Sequence, residues 1–305
     1  MNKGKLEVLV GISCSGKSTW AHKQWLKAPE TTVIVNRDKV RELLFGFTEG
    51  TIKDYYSLPN IGKNEKLVTR YMDTLIHEGL NVNKRVIVDN THLRSKYIEA
   101  FRFWNVETTV NFFPIKLDEA LERDANRTRQ VGAENIKKQF DSYTTLIKGW
   151  LESPIDLTPV IIDNDGSKPN CYVFDIDGCL AEKSGRSPYE WMRVGEDTPI
   201  ESIVQQNKLI YSGKSSDEKI IIATGRDGIC IDETEKWLDK HGIRYDEIYI
   251  RAKGDQRPDW VIKKEFAESI TKHLYISTWY DDRLQVTRYL RQLGIKVLNV
   301  EYNNF

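Results

Sequence analysis

The stretch Gly11-Ile-Ser-Cys-Ser-Gly16-Lys17-Ser18, entered from the apolar run Leu6-Glu-Val-Leu-Val10, decides how the first half of the chain is read. A glycine, four residues and then Gly-Lys-Ser is the spacing of a phosphate-binding loop. Its glycines, Gly11 and Gly16, let the backbone wrap an anion. The N–H groups of Ser13, Cys14, Ser15 and their neighbours then point inward. Lys17 supplies a point charge for the outer phosphates of ATP, and Ser18 an oxygen for Mg²⁺. Thr19 onward to Lys27 is helix-compatible, which aims a helix N-terminus at the same anion. A chance glycine turn is the competing reading, but strand, loop and helix follow in the required order.

Working outward, 305 residues suit two domains better than one. Apolar residues at 40% and charged residues at 30% describe a globular chain and exclude collagen-like and disordered classes. Lys plus Arg and Asp plus Glu are both 45, so any polyanion site must be a local patch and not a global basic field. Cys14, Cys171, Cys179 and Cys230 are scattered without metal-ligand spacing, which points to reduced thiols in a cytoplasm. The apolar run after Lys3 and Lys5 is too short for a signal peptide, and no window approaches a membrane span.

Beyond the loop, Thr31–Val35 reads as a strand ending in Asn36-Arg37-Asp38, with Arg41 three residues past Asp38 on one helix face. A carboxylate and a guanidinium there suit a hydroxyl acceptor: one takes a proton, the other holds a phosphate. An N-cap aspartate beside a surface arginine is the equal alternative. Glu65 to Gly79 is helical by periodicity, and Arg85–Asp89 is a strand whose tip, Asn90, Thr91 and His92, reads either as substrate-facing or as a side-chain-stabilised turn. Thr108–Leu117 is a fourth strand. A helix from Asp118 to Arg129 carries Arg123 and Arg127, either a cationic lid over ATP phosphates or a solvated ion-pair face with Glu119.

Between Ser153 and Asn170 the Pro, Asn, Asp and Gly content marks an interdomain connection, dividing the chain into residues 1–165 and 166–305. The strand Cys171–Phe174 then ends in Asp175-Ile-Asp177-Gly, two carboxylates placed so that one can be nucleophile and metal ligand while the other handles a proton. Behind it come Lys219–Ala223 with Thr224-Gly-Arg226, then Asp255-Gln-Arg257-Pro-Asp259 with Lys263. His273–Tyr280 follows, with Asp281-Asp282. A hydroxyl and Arg226 for a phosphoryl group, a lysine against the carboxylates and a second acidic pair for Mg²⁺ make one coherent set.

The order of these second-half signals resembles haloacid dehalogenase-type phosphatases. With the P-loop, Asp38, Arg41, Thr91-His92 and the arginine helix ahead of them, almost the whole chain resembles the bacteriophage T4-type polynucleotide 5′-kinase/3′-phosphatase family. Two departures stand out: Cys179 replaces the usual threonine after Asp-x-Asp-Gly, and Ile12-Ser13-Cys14 replaces a Pro-Gly-containing loop. The resemblance implies an α/β protein of two domains, P-loop NTPase-like and then haloacid dehalogenase-like, each a mainly parallel sheet flanked by helices. It implies transfer of the ATP γ-phosphate to 5′-hydroxyl ends and removal of 3′-phosphates, with 2′,3′-cyclic phosphate an extension by analogy.

Asp38 would then be the general base, with Lys17, Ser18, Arg41, Arg123 and Arg127 on phosphates or metal and Thr91 on the acceptor. Asp175 would accept the phosphoryl group and Asp177 manage the proton. Thr224, Arg226, Lys263, Arg186, Arg257 and Asp259 would serve phosphate and substrate, and Asp175, Asp177, Asp281 and Asp282 the metal. RNA or DNA ends are the implied substrate, an RNA or DNA ligase the functional partner, and a homo-oligomer is compatible. A small-molecule kinase fused to a small-molecule phosphatase, or a non-catalytic nucleic-acid-binding module, are the rival readings. Only about 45 residues separate Asp177 from Thr224, too few for a large cap domain.

Overall fold

The computed structural model describes residues 4–47 and 51–303, so Lys3 lies outside the described residues. The chain forms two compact units, Met1–Pro159 and Val160–Phe305, dividing a few residues ahead of the expected boundary. Asn164 explains the difference: its side chain both donates to and accepts from the backbone of Ile276, tying the connecting segment into the second unit.

The first unit runs β1 (Lys5–Val10), α1 (Lys17–Lys27), β2 (Thr32–Val35), α2 (Arg37–Phe45), α3 (Ile52–Tyr55), α4 (Ile61–Asn81), β3 (Arg85–Asp89) and α5 (Ser95–Glu99). It closes with β4 (Thr108–Phe112), α6 (Leu117–Ala125) and α7 (Ala133–Glu152). Its four strands are parallel in the order β2-β3-β1-β4. β1 lies inside the sheet, which is why Leu6, Val8, Leu9 and Val10 form a nearly unbroken apolar run, all buried. α4 presents Val68, Met72, Ile76 and Leu80, four residues apart, to that core. The chain leaves β1 toward β2 on one side and returns to β4 on the other, so a crevice opens at the strand ends around the P-loop.

Two expectations fail here. The fourth strand stops at Phe112 instead of Leu117, because Pro114 has no N–H to continue the ladder and Leu117 begins α6. The arginine helix stops at Ala125, so Arg127 and Arg129 sit in the segment beyond it. The buried Asp124 carboxylate accepts the N–H groups of Val131 and Gly132 at 2.9 and 2.8 Å, folding the chain back after α6.

The second unit runs β5 (Asn170–Phe174), β6 (Ala181–Glu182), β7 (Thr198–Pro199), α8 (Glu201–Gly213), β8 (Lys219–Asp227), α9 (Ile231–Lys240) and β9 (Glu247–Arg251). It ends with α10 (Asp259–Ile270), β10 (Tyr275–Arg283), α11 (Leu284–Gln292) and β11 (Val297–Asn303). Five parallel strands lie in the order β11-β10-β5-β8-β9. β5 is central, and its connections leave to one side and return on the other, so the switch point falls at Asp175. Between β5 and β8 there are only the small β6–β7 ladder, one turn and α8, with no inserted domain among the described residues. No described helix is long and apolar enough to cross a membrane.

Candidate active sites

In the first unit, the P-loop turns between β1 and α1 with Gly16 at φ 93° and Cys14 at φ 67°. A left-handed conformation costs a non-glycine residue about 1 kcal/mol. The Cys14 side chain partly offsets this by meeting Arg127 Nη1 at 3.4 Å and Asp124 Oδ1 at 3.7 Å, while its carbonyl accepts from Arg123 at 3.1 Å. Arg123 and Arg127 therefore both reach the loop, although they do not share one helix. Arg123 also pairs with Glu119 at 2.6 Å, as the solvated ion-pair reading expects. Ser13 N–H donates to Gln139 Oε1 at 2.7 Å, occupying one of the amides expected to face phosphate. Lys17 folds onto the loop, donating to the Ile12 carbonyl at 2.6 Å. Burial pulls its ammonium down to about 8, against the opposing charge of Asp89.

Asp38 lies in the first turn of α2, where the helix is capped by Asn36, whose side chain accepts the Lys39 N–H at 3.1 Å. Asp38 is thus not the cap. It pairs with Arg41 at 2.5 Å and Arg129 at 3.1 Å. Arg41 is buried and held a second time by Glu65, whose two oxygens each accept from it at 2.8 Å. Arg37 and the Tyr55 hydroxyl, at 2.8 and 2.7 Å, complete the ring around Glu65. Burial would raise the Glu65 carboxyl, but hydrogen bonds from Arg41, Tyr55 and Arg37 outweigh it and hold it at about 2. At the tip of β3, Thr91 contributes its carbonyl to the Gly11 N–H at 3.1 Å. His92 Nδ1–H donates to the Leu9 carbonyl at 2.8 Å, and burial pushes the imidazole down to about 4, so it is neutral near pH 7.

In the second unit, Asp175, Asp281 and Asp282 each offer a carboxylate oxygen within 4.8 Å of the others, all buried. Gly178, at φ 81°, makes this approach feasible, since a Cβ there would collide with the Asp282 carboxylate. Lys263 Nζ sits 2.7 Å from Asp175, 2.7 Å from Asp281 and 3.3 Å from Asp259. Burial, reinforced by neighbouring carboxylates, pushes Asp175 well above the ordinary range despite Lys263. Three converging oxygens with surplus negative charge fit a hard divalent cation.

Asp177, expected with that trio, turns elsewhere: its carboxylate accepts from Arg226 at 3.0 and 3.1 Å and from Arg186 at 2.9 Å. Burial alone would raise its carboxyl, but Arg226 and then Arg186 hold it below the usual range. Both guanidiniums are fixed from behind by the buried Asp197, at 2.8 and 2.6 Å. The Thr224 hydroxyl accepts the Arg226 N–H at 3.2 Å. Asp259 is held by Arg251 at 3.0 Å and Arg283 at 3.4 Å. Arg257, expected at the substrate, is instead committed to Asp255 and Glu265 at 2.7 and 2.6 Å on the exposed surface. Cys179 is buried, and burial, then the nearby Asp175, pushes its thiol well above the ordinary range.

Glu65, Arg129, Asp197 and Arg251 stand in no motif, and Asp197 lies in a stretch with no readable signal, whereas Arg283 directly follows the Asp281-Asp282 pair.

Residues 169–305 match the family described as polynucleotide kinase PNKP phosphatase domain, and residues 6–146 match the family described as AAA domain. A curated relative from Autographa californica nuclear polyhedrosis virus, the putative bifunctional polynucleotide kinase/RNA ligase, is 26% identical over 310 aligned residues. The match covers 97% of this chain but 42% of that protein, so the chain spans less than half of its relative's length. Two solved structures, of the Pnkp1/Rnl/Hen1 RNA repair complex and of the Pnkp1/Rnl/Hen1 complex, contain chains 26% identical to this one. They cover all of this chain and 98% and 99% of theirs, each with a TM-score of 0.46. Domains of these two kinds imply a nucleoside triphosphate and a divalent cation. Residues 169–305 are thus similar to the polynucleotide kinase phosphatase-domain family, and residues 6–146 to the AAA domain family.

Proposed function

We propose that this chain heals the ends of broken polynucleotide strands, phosphorylating 5′-hydroxyls with ATP and removing 3′-phosphates. The observation that carries the reading is the combination, in one chain, of a P-loop unit bearing an accessible Asp38 and a buried Asp175–Lys263–Asp281 cluster, the latter in residues that match the polynucleotide kinase phosphatase-domain family. In the first unit, Asp38 takes the proton of the 5′-hydroxyl as its oxygen attacks the γ-phosphorus, and the bond to the ADP oxygen breaks. Lys17, Arg41 and Arg127 neutralise the charge that moves to the phosphate oxygens.

In the second unit, a carboxylate oxygen of Asp175 attacks phosphorus and the bond to the 3′-oxygen breaks, with the proton for that oxygen coming from Asp177. Water, deprotonated by Asp177, then attacks phosphorus, releasing inorganic phosphate and restoring Asp175. An entering phosphate competes for the guanidiniums of Arg186 and Arg226, and Asp177 regains proton affinity as they turn away from it. Mg²⁺, held by Asp175, Asp281 and Asp282, would neutralise the nucleophile and the phosphate during attack.

The products, a 5′-phosphate and a 3′-hydroxyl, are the ends a ligase joins. The viral relative's description as a kinase/RNA ligase supports RNA ends and a ligase as the next enzyme. The absence of an inserted domain over β5 and β8 among the described residues favours a macromolecular substrate over a small-molecule kinase–phosphatase. Incubating an oligonucleotide bearing a 5′-hydroxyl and a 3′-phosphate with ATP and Mg²⁺, then analysing both ends, tests the reading. Conversion of both ends is expected, and failure at both overturns it.

A further inference from the structure

Next to Arg41, which pairs with Asp38, one aromatic side chain is only partly packed. Tyr56 follows α3 and stands 52% exposed, while its neighbour Tyr55 is fully buried. The Arg41 guanidinium packs on both, 5.6 Å from the Tyr55 ring centre and 5.4 Å from that of Tyr56. Tyr55 also meets Tyr56 edge-on, with ring centres 5.4 Å apart at 81°. Because Arg41 is fixed by Glu65 and Asp38, the Tyr56 ring is braced against a rigid cation while about half of it faces solvent. Arg41, against which the ring rests, also pairs with Asp38, the proposed base, so the open part of the ring lies next to the residue that holds that carboxylate.

We propose that Tyr56 is a stacking platform for the 5′-terminal base of the acceptor strand, adding base recognition to a site otherwise built to hold phosphates and a hydroxyl. The inference rests on the proposed kinase activity. Stacking on an aromatic face tolerates any base, so the platform favours nucleotide ends over sugar alcohols without selecting sequence. The Arg41 charge against the ring strengthens its position, and the half of the residue left exposed gives room for a base.

The test compares two 5′-hydroxyl oligonucleotides, one with an intact terminal base and one whose terminal residue is abasic, in wild type, Tyr56→Ala and Tyr56→Phe. For Tyr56→Ala, KM for the intact end should rise about tenfold, while the abasic end changes by less than about twofold. Tyr56→Phe should behave as wild type, and an unchanged unfolding midpoint of the first unit reports that the variants are folded. An equal loss on both oligonucleotides would overturn the platform and leave Tyr56 as a support for Arg41. No loss on either would overturn it as well. If wild type phosphorylates neither oligonucleotide, the kinase reading itself fails, an outcome distinct from both.

Discussion

In the first unit, Asp38 keeps 38% of its side chain exposed and leans on two arginines, one of them in the segment that follows α6. In the second, Asp175 is 5% exposed and its partner Lys263 not at all. The difference decides what each set of charges does. Exposed pairs are screened and contribute about 0–1 kcal/mol, so they can be exchanged for substrate contacts at little cost. Buried charges stripped of water depend on their partners, and removing one leaves the rest uncompensated. The Asp38 carboxylate can therefore exchange its Arg129 contact for substrate while Glu65 keeps Arg41 in place, and the second site is part of the fold of its unit.

The widest separation between the units should come from their carboxylates. Asp175→Ala is expected to abolish 3′-phosphate release, by about a thousandfold or more, while 5′-phosphorylation continues. Asp38→Ala should do the reverse. Assaying both reactions on one preparation checks this, and a folded variant losing both would break the two-site comparison.

Lys263→Met should destabilise the second unit by about 3–5 kcal/mol in metal-free solution, read from its unfolding midpoint in denaturant. Arg129→Ala should shift the first unit by less than about 1 kcal/mol. Similar shifts from the two variants would remove the contrast between buried and exposed charge.

Asp197→Asn leaves Arg186 and Arg226 without the carboxylate that orients them. Phosphatase kcat should fall roughly ten- to hundredfold, with the kinase unaffected. Unchanged kcat would mean that Asp177 suffices to hold both arginines.

The smallest effect concerns acid. Glu65 is held at about 2 in the folded chain, below its ordinary 4.5. Its contribution to stability is complete above pH 4.5 and is lost as pH falls through about 2. The melting temperature of the first unit should drop over that window, and Glu65→Gln should flatten the drop. An unaltered acid profile in the variant would show that the ring around Glu65 carries no net stability.

Most of the fold was legible because its signals are local. Apolar runs such as Leu6–Val10 and Lys219–Ala223, punctuated by Gly-rich or acidic tips, identify parallel strands and the ends where ligands gather. The failures were also local, where another contact won. The helical pattern through Arg127 and Arg129 yields to the Asp124 carboxylate, and the strand expected through Leu117 ends at Phe112, ahead of Pro114. Of the metal candidates carried by motifs, Asp175, Asp281 and Asp282 converge while Asp177 turns to Arg226 and Arg186, and Arg257, placed in the same run of residues as Lys263, points to surface carboxylates.

The amino-acid sequence by itself determined two parallel α/β units, a phosphate loop after the first strand and a pair of aspartates after the strand that opens the second unit. Those follow from side-chain period, glycine conformations and residue spacing, which act over a few positions. Only the tertiary structure decided which charges face one another. Glu65 reaches Arg41 across 24 residues and Asp197 reaches Arg226 across 29. Coulombic attraction and the loss of water depend on distance through space, so the pairing that keeps Asp177 ionised and Arg41 rigid becomes visible only once the chain has folded.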